Sequence, residues 1–488
     1  VSTVLDALAQ AGNNRIVLRD GAGALAGGAA LARLDAFAEA LDRLPPGPVG
    51  SRLDNGIDAV LLDLALRRCG RAHVALPPFF TEAQATQALA AAVAVALPAA
   101  LALQGAVPGT GVTLRPLAHA PIAVPAGTAI ITCTSGSTGT PKGVCLDAAL
   151  PETVAGALAA AMAPLGVRRH LCVLPLGVLL ETIGGVYAPL LAGGEVVVPA
   201  LAELGHGGSG GLDVPRLLAC LHHFRPESLI LVPQLLEALV AAAEAGAALP
   251  RSLRMLAVGG ARVPARLLER AAARGLPVFQ GYGLSECASV VCLERPGAQR
   301  RGSVGRVLPH TGLRVGDDGE LHVTGPRFLG YAGGDTPPPG PYATGDLGRI
   351  DDEGFVHIEG RRKAMYITAW GRNVSPEWVE SELTQHPRIA QALAWGEGRA
   401  SAVALLVPRS PEVGLAALEQ AVAEVNAGLP DYARIGAVLR ADAPFSIADG
   451  LLTGNGRPRR EALLARYGAR LAALPDPHRI PSTEVLPA

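Results

Sequence analysis

Hydrophobic positions along the chain fall into short apolar runs rather than one sustained period. AIITCTS (129–135), HLCVLPL (170–176), EVVVPA (195–200), SLILVP (228–233) and RMLAVGG (254–260) are strand-length runs, and Ala/Leu-rich helical stretches separate them. Strands that alternate with helices predict an α/β protein with largely parallel sheets. From about Val304 the texture changes: in GRVLPHTGLRVGDDGELHVTG, the DDG and TG turns separate short strands, as in an antiparallel, barrel-like segment. A second change comes at GRRKAMYITAWGRNVSPEWVESEL (360–383), after which strand and helix alternate at smaller scale through ALAWGE, SAVALLVP and GLAALEQAVAEVNAGL. These shifts divide the 488 residues into a large unit over 1–362, a small α+β unit over 363–474 and a proline-punctuated, flexible tail over 475–488. There is no internal repeat at solenoid spacing.

The uncharged run from Ala88 to Val107 is long enough to raise a membrane-span reading. Alanine supplies most of it and Pro98 interrupts it, which favours a buried helix-to-strand passage, so no transmembrane segment is expected. The first residues, VSTVLDALAQAGNNRIVLRDG, lack the basic stretch and apolar core of a signal peptide. Formal net charge is −1, from 42 basic and 43 acidic residues, which argues against nucleic acid or an anionic lipid surface as a partner. The seven cysteines are odd in number and form no C-x-x-C pair, so a reduced, cytoplasmic setting fits better than a disulfide framework or a thiolate zinc site. Arginine has replaced lysine almost everywhere, and the two lysines left, Lys142 and Lys363, are kept against that trend.

Lys142 closes TCTSGSTGTPKGV (132–144), a run of Ser, Thr and Gly that leaves an apolar strand. Its glycines let backbone amides approach an anion, its hydroxyls add donors, and the lysine adds charge. It is not a Walker loop, because Lys142 sits between Pro141 and Gly143 rather than before Ser or Thr.

This loop resembles the phosphate loop of the adenylate-forming superfamily, the group of acyl-CoA synthetases, peptide-synthetase adenylation domains and luciferases. VGGARV (258–263), FQGYGLSECASVV (279–291), YATGDLGRI (342–350) and GRRKAMYITAWGRNVSPEWVE (360–380) are similar to four further motifs of that family, in order and across nearly the whole chain. The resemblance implies a large N-terminal domain of two parallel-sheet α/β subdomains plus a β-barrel-like subdomain, followed by a small mobile C-terminal domain. It also implies that ATP and a carboxylic acid give acyl-AMP and pyrophosphate, and that the acyl group then passes to the thiol of CoA or of a carrier-protein phosphopantetheine.

Residue by residue, the resemblance assigns Thr134, Ser135, Gly136, Ser137, Thr138, Gly139 and Lys142 to the phosphates, and Gly259, Gly260, Ala261, Gly281, Tyr282 and Gly283 to the adenine. Ser285 and Glu286 stand at a Thr/Glu pair that handles phosphate and Mg²⁺, and a carboxylate beside substrate phosphates is a usual Mg²⁺ arrangement. Asp346 would accept two ribose hydroxyls, Arg361 would reach the nucleotide from the domain boundary, and Lys363 would be the hinge of a rotating small domain. Trp370, Gly371, Arg372 and Asn373 would face the acyl-AMP and the pantetheine arm.

Two departures stand out. DGLLTGNGRPRREALL (449–464) resembles the catalytic-lysine loop but carries Arg457 at the lysine position, which reads either as a tolerated replacement or as weakened adenylation. Val178 or Leu179 stands where acyl-CoA synthetases carry a His or an aromatic residue. The acyl pocket is expected between 175–194, 229–239 and the GYG block, with Leu180, Gly184, Gly185 and Val232 as candidates and an apolar, fatty-acid-like substrate. Leu180 falls where amino-acid-activating relatives anchor an α-amine, although a shift of one position would put Glu181 there. The alternatives are an ATP-driven ligase with a non-thiol second step, such as β-lactone closure, and a nucleotide-binding paralogue with feeble catalysis. His222 and His223 are expected as partly buried helix residues without metal spacing.

Overall fold

The computed structural model describes residues 3–101, 105–135, 141–207, 211–334, 336–453 and 456–476. Two mixed sheets form the large domain. The nine-stranded sheet runs in the order Arg306–Val307, Cys292–Leu293, Val278–Tyr282, Met255–Val258, Ser228–Leu231, Arg169–Leu171, Glu195–Val197, Ile16–Arg19, Ala24–Ala26, and its central pairs are parallel. The seven-stranded sheet runs Gly330–Tyr331, Pro141–Leu146, Ile130–Ser135, His73–Ala75, Val49–Ser51, Ala94–Pro98, Val112–Pro116. Helices such as Ile57–Arg68 and Ala149–Met162 pack on these sheets, and one apolar core joins both sheets through fully buried side chains such as Leu62, Phe37 and Tyr187.

The alternation of strand and helix therefore folds as the parallel-sheet pattern requires. The run from Ala88 divides into the end of the helix Glu82–Ala88, a short turn and the strand Ala94–Pro98. No helix among the described residues is long and apolar enough to cross a membrane. The segment after Val304 contains an antiparallel four-stranded sheet, Gly312–Val315, Glu320–Thr324, Tyr342–Ile350, Val356–Arg361. Between its second and third strands the chain departs to lay Gly330–Tyr331 along the edge of the seven-stranded sheet, beside Val144 and Cys145. His222 and His223 differ from expectation: both are exposed on the helix Val214–Phe224, and a ring nitrogen of His222 meets the Ala248 carbonyl at 2.8 Å. That helix buries Leu217, Leu221 and Phe224, and the two histidines fall on its other face.

The small domain is built on the sheet Ile389–Trp395, Ala402–Pro408, Ile435–Arg440. Period-two alternation sends Ala402, Ala404 and Leu406 to a core shared with the helices Pro376–Thr384 and Leu415–Asn426. Val403, Leu405 and Val407 face the helix Arg460–Ala472 through Leu463 and Tyr467. Both faces are covered, which is why SAVALLVP reads as an unbroken apolar run.

Contacts that dock this domain on the large one include a cation–ring pair and a side-chain hydrogen bond. The Arg262 guanidinium lies 5.9 Å from the Trp378 ring centroid, and Arg270 Nη1 donates to Gln385 Oε1 at 3.5 Å. Within the small domain, Glu380 Oε1 accepts from the Ala394 amide at 2.8 Å and from Arg460. Burial pushes the Glu380 carboxyl up and Arg460 holds it down, so each charge depends on the other. Glu380→Ala is expected to destabilise this domain by about 3 kcal/mol, because it strands the arginine. Calorimetric unfolding checks this, and a small-domain transition equal to that of wild type would contradict it.

Candidate active site

A cleft of about 3210 Å³ opens between the two domains. One wall is the hairpin of Ile130–Ser135 and Pro141–Leu146, whose last registered pairs are Thr134 with Lys142 and Ser135 with Pro141. Gly136, Ser137, Thr138, Gly139 and the Ser135 side chain lie outside the described residues. The exposed Lys142 ammonium stands 5.4 Å from the Tyr331 ring centroid. The Tyr331 hydroxyl donates to Glu286 Oε1 at 3.0 Å, so one phenol touches a cation on its face and an anion at its tip.

Glu286 sits in the 3₁₀ turn Ser285–Cys287, which continues through Ala288 and Ser289 at φ 51° and 89°. Left-handed backbone at residues with a side chain costs about 1–2 kcal/mol each. This turn is held by the Phe328 amide, which donates to the Glu286 carbonyl at 2.7 Å. It also needs a glycine at 283, where a Cβ would lie 1.5 Å from the Ser289 carbonyl oxygen.

On the opposite wall, Asp346 and Arg361 face each other across neighbouring strands. Arg361 Nε pairs ionically with Asp346 Oδ1 at 2.9 Å, Arg361 Nη1 donates to the Thr344 carbonyl at 2.8 Å, and the Tyr282 hydroxyl donates to Asp346 Oδ2 at 2.6 Å. Asp346 is only 5% exposed, and that burial pushes its carboxyl above the ordinary Asp value against the pull of Arg361. Burial also raises the Tyr282 phenol, which therefore stays a donor. Arg457 arrives from the small domain: a Cβ on Gly260, itself at φ +80°, would lie 4.0 Å from Arg457 Nη2. Crowding between the domains pulls the Arg457 guanidinium below its ordinary value, with Glu377 and Asp346 opposing and Arg361 adding to the drop.

Of the residues singled out in the sequence, the cleft is lined by Thr134, Lys142, Leu180, Gly184, Val232, Gly259, Gly260, Ala261, Gly281, Tyr282, Gly283, Ser285, Glu286, Asp346, Arg361, Lys363 and Arg457. Gly185 is not among them. It packs under Glu181 and His170, where a Cβ would meet Glu181 Oε1 at 2.4 Å. Gly371 lies on an exposed turn at φ +70°, away from this cleft. Glu181 is fully buried at the start of a π-helical stretch, Glu181–Tyr187, and is bound to His170 Nε2 at 3.2 Å and to the Leu174 amide at 3.3 Å. It thus points into the core while Leu180 lines the cleft.

Two serine–histidine–acid arrays have hydrogen-bond distances that suggest catalysis. Ser51 Oγ, His73 and Asp63 are linked at 2.8 and 2.7 Å, but all three are buried, two on strands and Asp63 on the helix Ile57–Arg68, and none lines the cleft. Ser228 Oγ and Glu181 engage both nitrogens of His170 at 2.8 and 3.2 Å, and they fix the π-helical turn in place. The cysteines offer no nucleophile beside Lys142, because burial pushes Cys133 up to about 12 and Cys145 up to about 11.

The model of the AMP-binding enzyme family matches residues 5–331, and that of the AMP-binding enzyme C-terminal domain matches residues 364–474. The chain belongs to the AMP-binding enzyme family. Among its relatives, the long-chain-fatty-acid–CoA ligase FadD15 of Mycobacterium bovis is 40% identical over 159 residues, which are 31% of this chain and 26% of that protein. The indoleacetate–CoA ligase of Aromatoleum aromaticum is 32% identical over 320 residues, 58% of this chain and 59% of that one. In both cases the chain spans less than two thirds of the relative.

The fold is shared with the anthranilate CoA ligase AuaEII in complex with anthranoyl-AMP, at TM-score 0.77 and 20% identity, covering 96% of this chain and 98% of the other. It is shared equally with the o-succinylbenzoate CoA synthetase of Bacillus subtilis in complex with its acyl-adenylate, at TM-score 0.75 and 23% identity over 95% and 98% of the two chains.

The Asp346–Arg361 pair gives a titration test. Arg361→Gln removes the cation that opposes burial, so the Asp346 pKa is expected to rise further, as read by carboxyl-carbon NMR. Its folded value lies above the unfolded one, so the stability this group contributes is complete below the ordinary Asp range. That contribution is lost as pH rises through the folded value, and the loss is larger in the variant. An unmoved Asp346 titration would show that the ion pair is not formed in solution.

Proposed function

We propose that this enzyme uses ATP to convert an apolar carboxylic acid to acyl-AMP and pyrophosphate, then passes the acyl group to the thiol of CoA or of a carrier-protein phosphopantetheine. The observation that carries this reading is the convergence in one cleft of Lys142, Glu286, Asp346 and Arg361 with Arg457 of the small domain. Such an array supplies cations that suit phosphate charge and a carboxylate that suits ribose hydroxyls, which supports the reading.

Lys142 and the amides of its loop hold the β- and γ-phosphates. Asp346 and Arg361 hold the ribose, and Tyr282 stacks on the adenine. Glu286, a hard oxygen donor lining the cleft beside Lys142, fits Mg²⁺. When bound there, that ion neutralises charge on the triphosphate. The substrate carboxylate attacks the α-phosphorus, the bond to the bridging oxygen breaks and pyrophosphate leaves, while Arg457 bridges carboxylate and α-phosphate. No side chain of the enzyme acts as a nucleophile. Rotation about Lys363 then brings the turn with Gly371 to the acyl-AMP, whose carbonyl is attacked by the thiol as AMP departs.

The acyl group lies along Leu180, Gly184 and Val232, all of which line the cleft. With Leu180 on that wall and Glu181 turned into the core, an α-ammonium group would not meet the Glu181 carboxylate, which supports a fatty or other apolar acid.

The test is acid-dependent ATP–pyrophosphate exchange across fatty, aryl and amino acids. Exchange with apolar acids alone is expected. Lys142→Ala is expected to lower it about a hundredfold, the scale of one lost transition-state donor, and Arg457→Lys to keep it within about tenfold. If wild type is silent with every acid and Arg457→Lys restores exchange, the chain binds nucleotide without adenylating, and the proposal fails.

A further inference from the structure

We propose that Tyr331 is a positioning residue for MgATP, which couples the phosphate-loop cation to the metal-binding carboxylate through one side chain. The inference rests on the roles given above to Lys142 and Glu286. No motif of the sequence marks Tyr331; topology delivers it. Gly330–Tyr331 is an edge strand paired antiparallel with Val144 and Cys145, in the strand that carries Lys142. Tyr331 is thereby fixed two residues from that lysine across the sheet, and its ring receives the ammonium on its face, with the charge 5.4 Å from the centroid.

At its far end the same ring donates its hydroxyl to Glu286 Oε1 at 3.0 Å. A second phenol ring, Tyr342, packs against the same phenylalanine, Phe328. Phe328 packs edge-on against both rings at centroid distances of 5.0 and 5.4 Å, so neither can turn away.

A carboxylate that must meet a metal gains from a partner that fixes its orientation, and a hydroxyl donor on one oxygen does this without neutralising the charge. A mobile lysine gains in turn from a π face that holds it near the phosphates yet releases it to a stronger anion. The two halves of the side chain thus have separable duties: the hydroxyl serves the metal side and the ring serves the lysine side.

The experiment is calorimetric titration of full-length wild type, Tyr331→Phe and Tyr331→Leu with ATP, once with Mg²⁺ and once with a chelator. Tyr331→Phe is expected to weaken MgATP binding about five- to tenfold, the scale of one typical net hydrogen bond, while leaving metal-free ATP within about twofold. Tyr331→Leu is expected to weaken both. The inference is overturned if Tyr331→Phe binds MgATP as wild type does, or if it loses MgATP and metal-free ATP to the same extent, as a merely structural residue would. Wild type that binds neither form would instead overturn the reading of Lys142 and Glu286 on which the inference stands.

Discussion

The register between the strands Tyr342–Ile350 and Val356–Arg361 is the constraint on which the cleft depends. It sets Asp346 directly opposite Arg361, and a bulge between Leu347 and Gly348 shifts the pairing immediately afterwards. A slip of one residue would turn Asp346 from a nearly buried acceptor into a surface acid and would aim Arg361 away from it. Tyr282 comes to the same carboxylate from the nine-stranded sheet, so Asp346 is where two sheets meet. Arg361 is also the last residue of its strand. Its neighbour Arg362 is tied back to Asp318 and Glu320 at 2.7 and 2.6 Å, and Lys363 follows at once. The chain is thus anchored to the large domain up to the residue where the small domain takes over.

Desolvation decides what such an arrangement can tolerate. A carboxylate as buried as Asp346 would take up a proton if left alone, and its ionised form is supported by a guanidinium and a phenol. Glu181 shows the alternative outcome of the same physics. One position from Leu180 in sequence, it is fully buried, spent on an imidazole and a backbone amide. Two adjacent residues of one turn therefore belong to different environments, one to the cleft and one to the core. The π-helical winding from Glu181 accompanies that division, as wide turns often do near ligand sites.

The fold was legible because its elements are local: apolar runs of strand length, helices between them, DDG and TG turns, and a two-faced central strand in the small domain. What sequence reading missed was set by long-range pairing. Gly330–Tyr331 reads as a loop fragment, and only its seat beside Val144 and Cys145 gives Tyr331 a role next to Lys142. Gly185 looked equivalent to Gly184, yet the side of the turn on which each falls separates a residue packed under Glu181 from one that lines the cleft. The histidines of the helix Val214–Phe224 were misjudged for a similar reason: composition does not say which face of a helix a sheet will cover. The apolar stretch with Pro98 was read correctly because a proline and a run of alanines argue against a long span on local grounds alone.

Arg457 brings composition and geometry together. Two hydrogen bonds tie its backbone to Thr453: the Thr453 amide donates to the Arg457 carbonyl at 2.7 Å and the Arg457 amide to Thr453 Oγ1 at 3.1 Å. A guanidinium is wider than an ammonium and needs room at its tip. Its fork reaches the other wall at Gly260, where a Cβ would stand 4.0 Å from Arg457 Nη2, an ordinary contact distance that leaves the guanidinium uncrowded on that side. In a chain that has exchanged nearly all its lysines for arginine, that spacing is consistent with the tolerated replacement, one of the two readings of this position. Lys142 differs, because its charge rests on the face of one particular ring. On the proposed function, a planar fork would stack on that ring rather than release to a phosphate, so a compact charge suits residue 142 where a fork suits residue 457.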